Sequence, residues 1–326
     1  MNTILFFHYS MKANNNKIGV LNEKFDILEV LGEGAYSSVY KVLNSETNEI
    51  LAAKIVKKYW KNEMPINIKL SKIKSPYIIK YLNFSQGEIK IKHNEDYKSY
   101  FLFELANKGE LSNYINCGKN GFSEIQTKLI FYDILKGFNA IHNAEICHRD
   151  IKAENILLDT DDYNIKISDF GFSEDSSELL NGIYGTQQYM APEIIMDKEY
   201  DGKKADIFSL GVLLFYIRTS KFLFNQVKTT KSNTSKTTYD YIKNNKDKIW
   251  IIAEANGIYG LTKEFKDLYL KMVAFNPHER PNVQEILNGE WMKEIINLSE
   301  DELKKMKNKL KEEFKERESI ILSQKE

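Results

Sequence analysis

The residues best suited to chemistry fall between Ile146 and Leu158, where the chain reads ICHRDIKAENILL. His148-Arg149-Asp150, Lys152 and Asn155 put a carboxylate, two cations and an amide within eight residues. Asp150 can accept a hydroxyl proton and orient the nucleophile. Lys152 can neutralise charge on a transferring phosphoryl group, and Asn155 can hold a metal through its amide oxygen. KISDFG follows, with Asp169 as an oxygen ligand for Mg2+. Phosphoryl transfer needs positioning and charge neutralisation rather than covalent chemistry, and these are its parts.

Two upstream features fit the same chemistry less specifically. In LGEGAYSSVYK, Gly32 and Gly34 lie between two strand patterns. Glycine allows a tight hairpin and lets backbone amides approach phosphate, but an ordinary glycine turn looks the same. Lys54 follows Ala52 and Ala53 in an apolar strand. It should face an anion, because an unpaired buried ammonium is costly, unless the strand is an edge and the side chain points to water.

The frame for these residues reads as a β-rich part followed by a helical one. FDILEVLGE, YSSVYKVLN and EILAAKIVKK read as strands, as do IIKYLNFSQ, GEIKIKH and SYFLFEL. A short helix is expected from about Pro65 to Ile73, proline being favoured at a first helical position. Beyond Leu111, SEIQTKLIFYDILKGFNAIHNA carries an apolar stripe at helical spacing. ADIFSLGVLLFYI is apolar nearly all round and should be a buried helix. Residues 1–24 read as a loose extension and KTTKSNTSKTT (228–238) as a surface insertion.

With 326 residues, one large domain or two lobes around a cleft are possible. Lys+Arg and Asp+Glu are both 46, so no global field draws the chain to nucleic acid or an acidic membrane. Two cysteines, Cys117 and Cys147, form neither a disulfide framework nor a four-ligand zinc site. The apolar run Ile4–Phe7 is too short for a signal peptide or span. An intracellular protein is expected, cytoplasmic by default with the nucleus open.

The glycine loop, AAK, HRDIKAEN, DFG and GTQQYMAPE stand in the order and spacing of eukaryotic protein kinases, and the chain resembles that superfamily from about Phe25 to Met292. The resemblance implies an α+β, bilobal fold: a small lobe over 25–106, a larger helical lobe over 107–292, and a helical tail over 293–326. It implies that Leu31, Gly32, Glu33, Gly34, Ala35, Tyr36, Ser37, Ser38 and Val39 cover the ATP phosphates, with Ser37 where many members have a third glycine. Ala52, Val39 and Leu157 would enclose the adenine, Phe103 would close the rear of the pocket, and Glu104, Leu105 and Ala106 would form the hinge. Lys54 would grip the α- and β-phosphates. Asn155 and Asp169 would hold Mg2+ or Mn2+, Asp150 and Lys152 would serve catalysis together with Thr186, and Glu110 would meet the ribose or a basic substrate residue. Leu70, Tyr81, His148 and Phe170 would stack between the lobes. Asp206 would anchor the catalytic loop, and Glu193 would pair with Arg280. Lys152 and Thr186 resemble the serine/threonine type. The implied activity is transfer of the γ-phosphoryl of ATP to protein hydroxyls by a monomer. Glu110 and Glu154 suggest a mild preference for basic residues upstream of the phosphosite. No nucleic-acid or membrane partner is expected. The alternative is a weakly active or inactive scaffold of the same fold; a small-molecule kinase fits GTQQYMAPE less well.

Three stretches depart from the pattern. The small-lobe helix usually supplies a Glu to the strand Lys, yet that register falls on Ile66. Either Glu63 reaches Lys54 from the helix start, where a carboxylate is electrostatically comfortable, or the pair is absent. Gly182 stands where many kinases carry an activating phosphothreonine, so Arg149 would look instead to Glu174, Asp175 or Glu178, or to a phosphate on Ser176, Ser177 or Tyr184. The tail places Leu303, Met306, Leu310 and Phe314 on one helical stripe, consistent with packing on the large lobe or with a regulatory helix.

Overall fold

A computed structural model describes residues 17–34, 37–56, 60–91, 94–223, 242–244 and 248–324. Ala35 and Tyr36 of the glycine loop, residues 1–16 and the 228–238 insertion lie outside the described residues.

The small lobe is a closed antiparallel barrel in the order β1-β2-β3-β4-β6-β5. Its strands are β1 (Gly19–Leu21), β2 (Phe25–Glu33), β3 (Ser37–Asn44), β4 (Ile50–Val56), β5 (Tyr81–Ile91) and β6 (Asn94–Glu104). Leu21, Ile27, Val42, Ala53 and Tyr100 fill its interior. Two expectations change here. Residues 19–21 are not a loose extension: Val20 pairs with Asp26 on β2 and with Lys90 on β5, closing the barrel. IIKYLNFSQ and GEIKIKH are not separate strands either, but one continuous β5. Gly87, in its middle, lets the Asn22 side chain pass; a Cβ there would lie 2.5 Å from the Asn22 amide oxygen. Glycine inside a strand marks this kind of close approach, not a break.

Helix α1 (Trp60–Ser71) starts a turn before Pro65. A proline this near the N-terminus forfeits one backbone hydrogen bond, and the extra turn carries Glu63 into the lobe interior.

The large lobe begins with β7 (Gly109–Glu110), α2 (Leu111–Ile115) and α3 (Glu124–Asn143), the last opened by a capping box between Ser123 and Gln126. Next come β8 (Ile146–Cys147), the hairpin β9 (Ile156–Asp159) and β10 (Asn164–Ile167), and β11 (Glu174–Asp175). Helices α4 (Pro192–Ile195), α5 (Gly202–Thr219), α6 (Lys248–Ala255), α7 (Lys263–Met272), α8 (Val283–Leu287), α9 (Lys293–Ile296) and α10 (Glu300–Ser323) complete it. As its all-round apolar sequence requires, α5 is buried through Leu210, Leu213, Leu214 and Phe215. Leu310 and Phe314 of α10 belong to the core cluster of this lobe, and Leu303 and Met306 pack against it. Both cysteines are buried and free. No described helix is long and apolar enough to cross a membrane.

Candidate active site

The two lobes enclose a cavity of about 290 Å3, with Leu31 and Val39 on the small-lobe side and Asn155 and Leu157 on the large-lobe side. Strand pairing puts Val39 opposite Lys54 and Ala52 opposite Phe103. The backbone N–H of Gly34 donates to the Ser37 carbonyl at 2.8 Å, closing the loop at the end of β2. Gly32, Ser37, Phe103, Glu104, Leu105 and Ala106 also line the cavity. Glu33 and Ser38 pair with each other at the end of the β2–β3 ladder. The Phe103 ring lies 6.0 Å from that of Tyr81, so its packing and its place on the cavity wall coexist.

Lys54 points inward to two anions. Its Nζ lies 2.7 Å from Glu63 Oε1 and 2.8 Å from Asp169 Oδ1. Of the two alternatives left by the sequence, the Glu63 pair is the one formed, because the early start of α1 shifts the acid into reach. Burial alone would favour the neutral amine, but the Asp169 and Glu63 carboxylates hold Lys54 protonated, above its ordinary range. Burial would likewise raise the Asp169 carboxyl, yet Lys54, with help from Lys152, holds it at about 2.

The large-lobe half is a hydrogen-bonded knot around Asp150, which is 4% exposed. Lys152 Nζ donates to Asp150 Oδ2 at 2.8 Å, and the Thr186 hydroxyl donates to Oδ1 at 2.7 Å. Lys152 Nζ also lies 3.2 Å from the Thr186 hydroxyl. Asn155 Nδ2 donates to the Asp150 carbonyl at 2.8 Å, which leaves its amide oxygen for another partner. Gly185 makes the Thr186 contact possible: at φ +104° it runs so close to the Arg149 carbonyl that a Cβ would lie 2.3 Å from it. Asp206, buried on α5, accepts from the backbone N–H groups of His148 (2.8 Å) and Arg149 (2.9 Å) and lies 2.9 Å from His142 Nε2. It thereby clamps a loop in which Arg149 takes φ 66°. The His148 ring lies 5.0 Å from that of Phe170, and Phe170 shares one apolar core with Leu70 of α1.

Asp169 and Asn155 offer hard oxygen donors on one cavity wall, a set suited to Mg2+, which keeps only one or two protein ligands when it also binds phosphates. Among the described residues no group of three or more His, Cys, Asp or Glu forms a fuller metal cage.

Glu193 and Arg280 form a two-pronged ion pair at 2.6 and 2.8 Å beneath the site. One of the acids expected near Arg149 goes elsewhere. Asp175 pairs with Lys69 of α1 at 2.8 Å, and the Arg149 guanidinium lies 4.3 Å from the Tyr184 ring centre. A tyrosine face holds a cation without phosphate.

Sequence reasoning missed part of the cavity. Lys108, Asn113 and Tyr114 beyond the hinge line it, and so do Glu318, Ile321 and Leu322 of α10. Continuing the stripe Leu310–Phe314 at helical spacing reaches Arg317 and Ile321.

Residues 25–292 match the model of the protein kinase domain. Over 304 residues the chain is 31% identical to CBL-interacting serine/threonine-protein kinase 10 of Arabidopsis thaliana, covering 91% of this chain and 59% of that protein. Over 295 residues it is 30% identical to a probable serine/threonine-protein kinase, fhkD, of Dictyostelium discoideum, covering 83% and 37%. Serine/threonine-protein kinase AtPK1/AtPK6 of A. thaliana is 34% identical over 212 residues, 61% of this chain and 42% of that protein. The chain thus spans little more than half the length of the CBL-interacting kinases it matches. With its two lobes and the paired residues of its cleft, the chain belongs to the protein kinase family.

Proposed function

We propose that the protein is an active serine/threonine protein kinase that transfers the γ-phosphoryl of Mg-ATP to hydroxyls of protein substrates. The observation that carries this reading is that Lys54, Glu63, Asp169 and Asn155 line one cleft, with Lys54 paired to both acids, and that Asn155 is hydrogen-bonded to Asp150, which Lys152 and Thr186 also hold. Asp150 is poised to accept a hydroxyl proton, as its bond from the Thr186 hydroxyl illustrates. Lys152, beside both, balances charge developing on the transferred group. Lys54, kept in place by Glu63, grips the phosphates. Asp169 and Asn155 would hold Mg2+ or Mn2+, which supplies charge neutralisation at the phosphate oxygens. Labelled phosphoserine or phosphothreonine is the expected product with ATP and a generic protein acceptor. Nucleotide binding without any transfer would instead leave a scaffold. Glu63→Gln keeps the shape of the Lys54 partner but removes its charge, and should lower kcat/KM for ATP about tenfold.

Two further acids support a preference for basic residues upstream of the phosphosite. Glu110 is buried, with Oε2 accepting from the Ser112 hydroxyl at 2.6 Å and Oε1 without a partner among the described residues. Burial pushes its carboxyl up to about 8, and that of the neighbouring Glu154, whose Oε2 is also unpartnered, upward. An incoming guanidinium would satisfy both. Below about pH 8 Glu110 is largely neutral, so binding arginine must first ionise it; above that pH the carboxylate is already present. The ratio of kcat/KM for an arginine-bearing peptide over its alanine counterpart should therefore rise several-fold from about pH 6.5 to about pH 8.5. Glu110→Gln should flatten that rise. A ratio near one at every pH would remove the preference.

A further inference from the structure

The cleft has a wall that belongs to neither the hinge nor the glycine loop. Three residues from the last turns of α10, Glu318, Ile321 and Leu322, line the same cavity as Lys54 and Asp169. They are held there by buried anchors just upstream. Phe314, 2% exposed, stacks on Tyr163 at 5.2 Å and meets Tyr114 edge-on at 5.4 Å. The Arg317 guanidinium lies 4.0 Å from the Phe122 ring centre and donates to the carbonyls of Tyr114 and Asn120, each at 2.9 Å. One residue later, Glu318 accepts from the Tyr163 hydroxyl at 2.6 Å and lies 3.3 Å from Lys108 Nζ, itself on the cavity wall. Beyond it stand Ile321, partly buried, and Leu322, 41% exposed.

We propose that the end of α10 is an affinity-setting wall of the nucleotide site. Ile321 and Leu322 offer apolar surface to the bound nucleotide, while Glu318 fixes the Lys108 ammonium and so the shape of the rim beyond the hinge. This rests on the reading of the cleft as an ATP site. The cavity remains about 290 Å3 with the helix in place, which fits a wall rather than a plug. Apolar packing that forms only when nucleotide is bound should act on affinity and leave the phosphoryl-transfer residues untouched.

The test uses the full chain, with Mg-ATP binding measured by displacement of a fluorescent ATP analogue alongside steady-state kinetics. Ile321→Ser/Leu322→Ser should weaken Kd and raise KM for ATP about fivefold to twentyfold, with kcat within about twofold. Leu322→Ser alone changes an exposed side chain that the fold does not need, and should give about twofold to fourfold. Wild-type affinity in both variants, or tighter binding in either, would overturn the proposal, the latter by showing that the helix end obstructs the site. A wild-type chain that binds no Mg-ATP would break the underlying ATP reading instead.

Discussion

Asp150→Asn should reduce kcat for γ-phosphoryl transfer by about 10² to 10⁴-fold, with the Kd for Mg-ATP changed by less than about threefold. The substitution is close to isosteric, so packing around this buried position survives. The carboxylate is lost as proton acceptor, and Lys152 Nζ and Asn155 Nδ2, both donors to Oδ2, then face a neutral amide. Lys54, proposed to grip the phosphates, stands apart from it, paired to Glu63 and Asp169 and not to Asp150. Binding and chemistry should therefore separate. Asp169→Asn provides the contrast, since it removes both a metal ligand and a Lys54 partner and should weaken Mg-dependent nucleotide binding as well. Asp150→Asn enzyme retaining more than a tenth of wild-type kcat would mean that another group takes the proton or that none needs taking. If the wild type transfers nothing while still binding Mg-ATP, the scaffold reading gains.

What could be read in advance follows the range of the interactions concerned. Asp150, Lys152 and Asn155 lie within six residues, so a local loop brings them together and their types alone suggest the chemistry. The burial of α5 was legible because an all-round apolar helix has nowhere else to go. Long-range or compensating choices were not. Pro65 reads as a helix start, but the fold accepts one lost backbone bond and begins α1 earlier, which brings Glu63 to Lys54. Gly87 reads as a break between strands, whereas it is the point where Asn22 crosses β5. Nothing local in residues 17–24 announces that three of them close a barrel, since the partners of Val20 are Asp26 and the distant Lys90. The role of α10 was half visible: its apolar stripe marks a packed face, but Arg317 looks like a surface cation. Its burial depends on carbonyls at Tyr114 and Asn120 and on the Phe122 face, all on a remote segment.

The other large effect expected is on stability. Arg280→Ala should destabilise the large lobe by about 3–5 kcal/mol, and Glu193→Ala by an amount toward the lower end of that range. Arg280 is 1% exposed and has no solvent to turn to. Its guanidinium makes the two bonds to Glu193, donates to the carbonyls of Ala274 (2.8 Å) and Lys204 (2.9 Å), and lies 5.1 Å from the Phe208 ring centre. Removing it leaves a buried carboxylate uncompensated, takes a donor from the carbonyls of Ala274, Lys204 and Phe275, and opens a cavity. Removing Glu193 leaves the cation uncompensated, but the carbonyls still share it, so the loss should be smaller. The double variant leaves no orphan charge and should lose less than the sum of the two single losses, by at least about 1 kcal/mol. Chemical denaturation of the three variants and the wild type measures this directly. Additive losses would mean that the pair is held by its surroundings rather than by itself. Because Glu193 lies in the first turn of α4, just after the segment carrying Thr186, the single variants should also lose activity before they unfold globally. In urea, transfer to a protein acceptor should fall at lower concentration than the circular-dichroism signal, with the gap narrowest in wild type.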